Sequence, residues 1–389
     1  MGATRNIREK TVVVMGGTKG IGNETARGLA GHCASSLDRV VGPSGPAGTL
    51  GPRRGRRALT AVGAVVGAVV LAGAALYRYF GYAPAPTQPA LDAEVVKDRI
   101  TIDGRERTYT AVIPRALPAG APLLIVFHGS NQNADAMRVA TGYGFDTLAA
   151  RERFIVIYPD GYKGNWHDCR TAADYPARTE NIDDNGLVRG LIARFHDTHG
   201  IDRARVFAAG YSNGGQMVFR LAAEMPERFV GLAAIAATQP TPDNFACEAT
   251  GRSIPMLLMN GTRDPIVPYT GGVISLFGFR PRGTALSAPE TARHFAQVNG
   301  ITTPPTASAL DHRKTSGDTA VTITTYAQDD KDPVVAYTII NGGHVVPNPT
   351  YTAPRLVGRT THDVDAPHAI WAFFAGLPAR PYISSQQAS

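Results

Sequence analysis

The sequence predicts an α/β protein built on a doubly wound, mostly parallel sheet. Short continuous apolar runs recur, such as 123–127 (LLIVF) and 154–158 (FIVIY), as strands buried on both faces require. Stretches with helical apolar spacing alternate with them, for instance Leu187, Leu191, Ile192 and Phe195. With 43% hydrophobic and 18% charged residues, the 389-residue chain can fill the core of such a sheet, and wholesale disorder is excluded.

The first elements do not belong to that sheet. Residues 11–30 (TVVVMGGTKGIGNETARGLA) read as a strand, a glycine-rich turn and a helix. They resemble the opening βα unit of a short-chain dehydrogenase, in which Gly16, Gly20 and Gly22 would cradle a pyrophosphate. The pattern stops near residue 39. The ribose-binding acid and the Tyr/Lys pair of that family have no room before the next segment. One βα unit cannot bury its own apolar face, so residues 1–39 are expected to be a truncated, non-functional dinucleotide-binding-like fragment, from a gene fusion or a misplaced start. An NAD(P)-dependent oxidoreductase built on these glycines is the weaker alternative.

Residues 40–90 form a second region. Arg53, Arg54, Arg56 and Arg57 stand before residues 58–76 (ALTAVGAVVGAVVLAGAAL), 19 uncharged and mostly apolar positions. A basic flank before such a run is the signature of a membrane-crossing segment with the arginine side cytoplasmic. Ala72-Gly73-Ala74 offers a small-x-small cleavage pattern, so the segment reads either as a cleaved export signal or as a retained transmembrane anchor. Either way the rest of the chain is exported, to the cell envelope or the extracellular space. Residues 83–90 (APAPTQPA) are a proline-rich spacer. Charge follows this division. Residues 1–90 carry 11 Lys/Arg against 3 Asp/Glu, and residues 91–389 carry 28 against 29. The formal charge of +7 thus belongs to the N-terminus, and the large C-terminal part has no electrostatic case for nucleic acid.

From residue 91 the sheet begins. An edge strand is expected at 107–113 and buried strands at 123–127 and 154–158. Further strands follow at 205–209, 230–236, 255–259 and 334–340. Helices are expected near 134–150, 184–199, 213–225, 288–299 and 365–376. Residues 270–286 are apolar yet glycine-rich and read as a covering loop.

Gly210-Tyr211-Ser212-Asn213-Gly214 follows one of these strands and opens an amphipathic helix with Met217, Val218 and Leu221. A strand–turn–helix with G-x-S-x-G pushes a serine hydroxyl out above the sheet. The turn is so tight that side chains at Gly210 and Gly214 would collide with the neighbouring strand and helix. A nucleophilic serine needs a base and an acid that orients the base, in the chain order serine, acid, histidine. Asp264 follows the strand in PMLLMNGTRD, and Asp243 is its rival in a polar loop. His344 ends VVAYTIINGGH, and His362 and His368 are its rivals. The oxyanion donors are expected to be the backbone N–H groups of Asn213 and of Ser130 or Gly129, the latter pair in LLIVFHGS. His128 reads as a structural loop histidine.

Together FHGS, FIVIYPDGYKGNW, NIDDNGLVRGLI, GYSNGG, NGTRDPIVPYTGG and NGGHVVP resemble the secreted polyhydroxybutyrate depolymerase and feruloyl esterase-like family of α/β-hydrolases, from about residue 104 to about 376. The resemblance implies an α/β-hydrolase catalytic domain within 91–389, with Ser212 as nucleophile, Asp264 as acid and His344 as base. It also implies hydrolysis of carboxylic esters, of the 3-hydroxyacid oligomer or the feruloyl/acetyl kind, with no metal or cofactor. Val345 and Val346 stand after His344 where many members carry an aromatic. A non-catalytic α/β-hydrolase module that binds a partner is the alternative from another class. Trp166 and Tyr269 are candidates to line the substrate pocket. Asp183 and Asp184 read as loop-fixing or helix-capping acids. Cys169 and Cys247 both lie in the exported part, where a disulfide can form.

Overall fold

The computed structural model describes residues 52–381, with the side chains of residues 52–60 left out. The dehydrogenase-like fragment at 11–39 therefore lies outside the described residues. The chain divides into two units, Met1–Val65 and Val66–Ser389. Helix α1 covers Pro52–Leu76 and runs into a wider turn, Tyr77–Gly81. Within the described residues Ala61–Gly81 is long and apolar enough to cross a membrane, with a mean hydropathy of 1.8 and none of its apolar window buried.

Among the described residues the sheet has ten strands. In chain order they are β1 (Ala93–Ile102), β2 (Arg105–Pro114), β3 (Leu123–Phe127), β4 (Ile155–Pro159), β5 (Val206–Tyr211), β6 (Gly231–Ile235) and β7 (Met256–Gly261). After the two-residue strands β8 (Gly272–Val273) and β9 (Thr284–Ala285) come β10 (Thr306–Ala309), β11 (Ala320–Tyr326) and β12 (Val334–Ile340). The spatial order is β1-β2-β4-β3-β5-β6-β7-β12-β11-β10. The central strands from β4 to β12 run parallel, and antiparallel pairs close both ends.

Two expectations change here. Residues 107–113 belong to β2, which is not an edge, because β1 pairs along its whole outer side. The sequence of β1 (AEVVKDRITI) mixes charges into its alternation and hides its strand character. The covering loop at 270–286 is a small hairpin, β8 paired with β9.

Helices α2 (Ala134–Ala140), α3 (Gly144–Glu152), α4 (Asp184–His199), α5 (Asn213–Glu224), α6 (Ala288–Val298) and α7 (Ala366–Ala375) cover both faces. Leu187, Leu191, Met217, Leu221 and Phe295 from α4, α5 and α6 share one core with Ile125, Ala208 and Leu258 of the sheet. Met137, Phe145, Leu148, Trp371 and Phe374 from α2, α3 and α7 share the other with Leu124, Val126 and Phe207. Side chains of consecutive strand residues leave on opposite faces, so a strand covered on both must be apolar throughout.

This winding places the site. The chain passes from β3 to β4 on one side, then returns to β5 on the other side of β3. At such a switch point the loops after two adjacent strands part and leave a crevice at their carboxyl ends. Phe127 pairs with Gly210 at those ends, so the loop after β3 and the turn after β5 face one another.

Candidate active site

Ser212 sits on the turn between β5 and α5 with φ 56° and ψ −116°, a left-handed backbone that a side chain rarely adopts. The flanking glycines make the turn possible. A Cβ on Gly210 would overlap the Gly214 carbonyl, and one on Gly214 would overlap the carbonyl of Phe127 on β3. Strand and helix thus touch backbone to backbone, and the Ser212 N–H is held by the Ile235 carbonyl at 2.8 Å.

Asp264 lies three residues past β7 and His344 four past β12, strands paired at Ile339 and Gly261. His344 Nε2 is 2.8 Å from Ser212 Oγ, and His344 Nδ1 is 2.7 Å from Asp264 Oδ2. The other carboxylate oxygen of Asp264 accepts the N–H groups of Ile266 and Val267, each at 2.8 Å, which fixes its plane. Both side chains of the His344–Asp264 pair are nearly sealed from water. A hydroxyl, an imidazole and a carboxylate in this chain can pass a proton from oxygen to nitrogen and stabilise the imidazolium that results.

The rivals take other posts. His362 bonds the carbonyl of Asn348 and lies 3.2 Å from the Thr352 hydroxyl. His368 is exposed on α7. Asp243 interacts with Thr284, and hydrogen bonds to its carboxylate lower its pKa.

On the oxyanion side, the Gly129 N–H is occupied by Gln132 Oε1 at 3.0 Å. Among the described residues none accepts the Ser130 N–H. The N–H of Asn213, first residue of α5, has no partner within its helix. Two N–H groups at the carboxyl ends of neighbouring strands suit a developing negative charge. The Ser130 hydroxyl is 2.8 Å from the hydroxyl of Tyr175.

His128 is fully buried. Its Nε2 accepts the Gly161 N–H at 2.8 Å, so Nδ1 carries the proton and donates to the Gly129 carbonyl at 2.7 Å. Desolvation lowers its pKa to about 4, so the ring is neutral and clamps the loop after β3 to the loop after β4.

Trp166 lies in the interior. Its ring is fully buried, donates Nε1–H to the His128 carbonyl at 2.9 Å and packs edge-on against Phe127 at 5.0 Å. It supports the loop after β3 from beneath. Tyr269 directs its hydroxyl to Thr338 on β12 at 2.9 Å, and among the described residues no hydrogen bond joins it to the triad side chains. Asp183 caps α4 through the Gly186 N–H, and Asp184 forms a buried ion pair with Arg107. Cys169 and Cys247 are joined as a disulfide.

Several side-chain contacts around the site escaped the sequence reading. The side chain of Asn213 accepts the Trp166 N–H at 2.8 Å and donates to Asp168 at 2.6 Å. Asp168 is itself paired with buried Arg170. The Tyr211 hydroxyl donates to the carbonyl of His344 at 2.8 Å, and burial pushes its pKa up. The sequence pointed to the backbone of Asn213 and not to its side chain, Tyr211 stood out only as part of G-x-S-x-G, and nothing local marked Asp168.

Residues 108–239 match the family described as Esterase PHB depolymerase. That span contains Ser130, Ser212 and Asn213. The candidate esterase NocK of Nocardia uniformis subsp. tsuyamanensis is 27% identical over 304 residues, covering 76% of this chain and 87% of that protein. Poly(3-hydroxyalkanoate) depolymerase C of Paucimonas lemoignei is 27% identical over 252 residues, covering 60% of this chain but only 57% of the depolymerase. Among solved structures, an acetyl xylan esterase from Aspergillus awamori is similar with a TM-score of 0.44 and 17% identity, over 65% of this chain and 95% of that one.

Proposed function

We propose that this chain, whose residues 108–239 match the Esterase PHB depolymerase family, hydrolyses carboxylic esters through an acyl-enzyme on Ser212. The continuous hydrogen-bonded line from Ser212 Oγ through His344 to Asp264 carries the reading. His344 Nε2 takes the Ser212 proton as Oγ attacks the ester carbonyl carbon. The carbonyl oxygen becomes an oxyanion facing the N–H groups of Ser130 and Asn213, while Asp264 stabilises the imidazolium. Collapse of the tetrahedral adduct breaks the acyl C–O bond, and the imidazolium returns its proton to the departing alcohol. Water then attacks the acyl carbon, giving its proton to His344, and the second collapse frees the acid and restores the Ser212 hydroxyl.

Esters of short or medium acids, 3-hydroxyacid oligomers and feruloyl or acetyl esters are the substrate classes to survey, in keeping with the names of the relatives. The chain is exported through residues 58–76. The Cys169–Cys247 disulfide supports an oxidising compartment.

The test is hydrolysis of p-nitrophenyl esters of graded acyl length by the full chain, as wild type and as Ser212→Ala, with fluorophosphonate labelling alongside. Loss of both activity and label in the variant upholds the reading. Equal turnover in the two proteins, or a wild type that neither turns over nor labels, sinks it.

A further inference from the structure

One contact outside the triad ties it to the apolar helix. Tyr79 lies in the turn that ends the span Ala61–Gly81. Its hydroxyl accepts a hydrogen bond from Arg355 Nη1 at 2.7 Å, and the guanidinium carbon lies 4.4 Å from its ring centre. Arg355 opens the short turn Arg355–Val357. The carbonyl of Val357 accepts the N–H of His344 at 2.7 Å, and that of Arg359 accepts the N–H of Gly343 at 2.9 Å. Gly343 and Gly358 pack with no room for a side chain on either. From the end of the helix to the imidazole of His344 there is thus one side-chain contact and one layer of backbone hydrogen bonds.

The helix has the dimensions and trim of a bilayer span. Twenty-one residues rise roughly 31 Å, close to the roughly 30 Å of a hydrocarbon core. Four arginines precede it. Tyr77, Tyr79, Phe80 and Tyr82 cluster at its far end, all substantially exposed, as residues of an interfacial belt are. Leu356, between Arg355 and Val357, is 50% exposed beside that belt. A lipid bilayer accounts for the basic flank, the bare apolar helix, the aromatic collar and the exposed leucine together.

We propose that the helix is retained as an anchor and that the Tyr79–Arg355 contact holds the His344 side of the active site against the outer surface of the membrane. The substrate class that follows is an amphiphilic ester, its apolar tail in the bilayer and its carbonyl at headgroup level. This rests on the reading of Ser212 as an esterase nucleophile and narrows it.

The experiment uses the full chain reconstituted in phosphatidylcholine vesicles. Hydrolysis of vesicle-borne p-nitrophenyl palmitate is compared with that of soluble p-nitrophenyl butyrate, in wild type, Arg355→Ala and Tyr79→Ala. Both variants are expected to lose about tenfold on the palmitate and to stay within about twofold on the butyrate, because only a membrane-held substrate gains from a membrane-held site. Equal losses on both esters would make Arg355 a mere prop of the His344 loop and overturn the placement, as would no loss on either. A second measurement reads placement without chemistry. An environment-sensitive dye on Leu356→Cys, with Cys33, the one cysteine of the sequence outside the disulfide, changed by Cys33→Ser, should shift its emission to the blue when vesicles are present. An emission unchanged by vesicles overturns the proposal even if the soluble ester is hydrolysed. A blue shift without any ester hydrolysis leaves the placement standing and removes the esterase reading instead.

Discussion

His128 and His344 occupy comparable places. Each follows a strand of the parallel sheet, each adjoins a glycine, and each is buried. Their partners differ. Both ring nitrogens of His128 are engaged by backbone groups, the N–H of Gly161 and the carbonyl of Gly129. His344 meets a carboxylate on one nitrogen and a hydroxyl on the other. A proton on Ser212 has somewhere to go, whereas a proton arriving at His128 would have to displace a backbone hydrogen bond inside an apolar core. Position after a strand does not make a base. The mobility of the proton on the facing group does.

The largest test of that contrast is chemical. Ser212→Ala and His344→Ala should each lower kcat/KM for p-nitrophenyl butyrate by about 10⁵-fold or more, while His128→Gln stays within about tenfold of wild type. Comparable losses at the two histidines would erase the distinction. Asp264→Asn should lower kcat by about 10⁴-fold with KM little changed, because an amide in place of the carboxylate favours the wrong imidazole tautomer. A loss of less than tenfold would remove Asp264 from the orienting role.

Stability separates the two sides next. The disulfide closes a loop of 78 residues in sequence between the segment after Trp166 and the one after β6. Replacing both cysteines by serine should cost about 4 kcal/mol in urea unfolding, from the added freedom of the unfolded chain. A cost near zero would mean that the segments are held without it. His128 adds a pH signature. Its folded pKa of about 4 lies below its ordinary value of 6.5, so between these the unfolded chain binds the extra proton. Stability from this group is therefore full above pH 6.5 and falls as the pH drops toward 4, by about 3 kcal/mol. His128→Gln should flatten that part of the unfolding profile, and a slope identical to wild type would assign it to other groups. Smallest is Tyr175→Phe, which frees the Ser130 hydroxyl; kcat should fall about fivefold, one ordinary hydrogen bond. No change would show that the oxyanion loop is held by His128 and Trp166 alone.

The proposed triad was legible in the sequence because Ser212, Asp264 and His344 each sit just beyond a buried strand, and buried strands announce themselves as apolar runs. The elbow was legible because only glycine fits at 210 and 214. What stayed hidden was long-range and polar. The Asn213–Asp168 bond joins residues 45 apart, and the Tyr211–His344 bond residues 133 apart, so neither leaves a local period to read. The burial of Trp166 was hidden for the same reason: the carbonyl that receives its N–H lies 38 residues away in sequence. Strand β1 was missed because its outward residues are charged, which lowers its apolar signal without lowering its capacity to pair.

That same charge bears on crowding. Among the described residues the ten-stranded sheet ends on a strand paired on one side only at each rim, and such a rim can recruit a strand from a neighbouring copy. One rim is β1, where Glu94, Lys97, Asp98 and Arg99 interrupt any continuous apolar face. The other is β10, only four residues long. Molecules confined to a plane meet one another far more often than molecules free in three dimensions. Rims that refuse partners would let many copies of this chain share a surface without stacking into a ribbon.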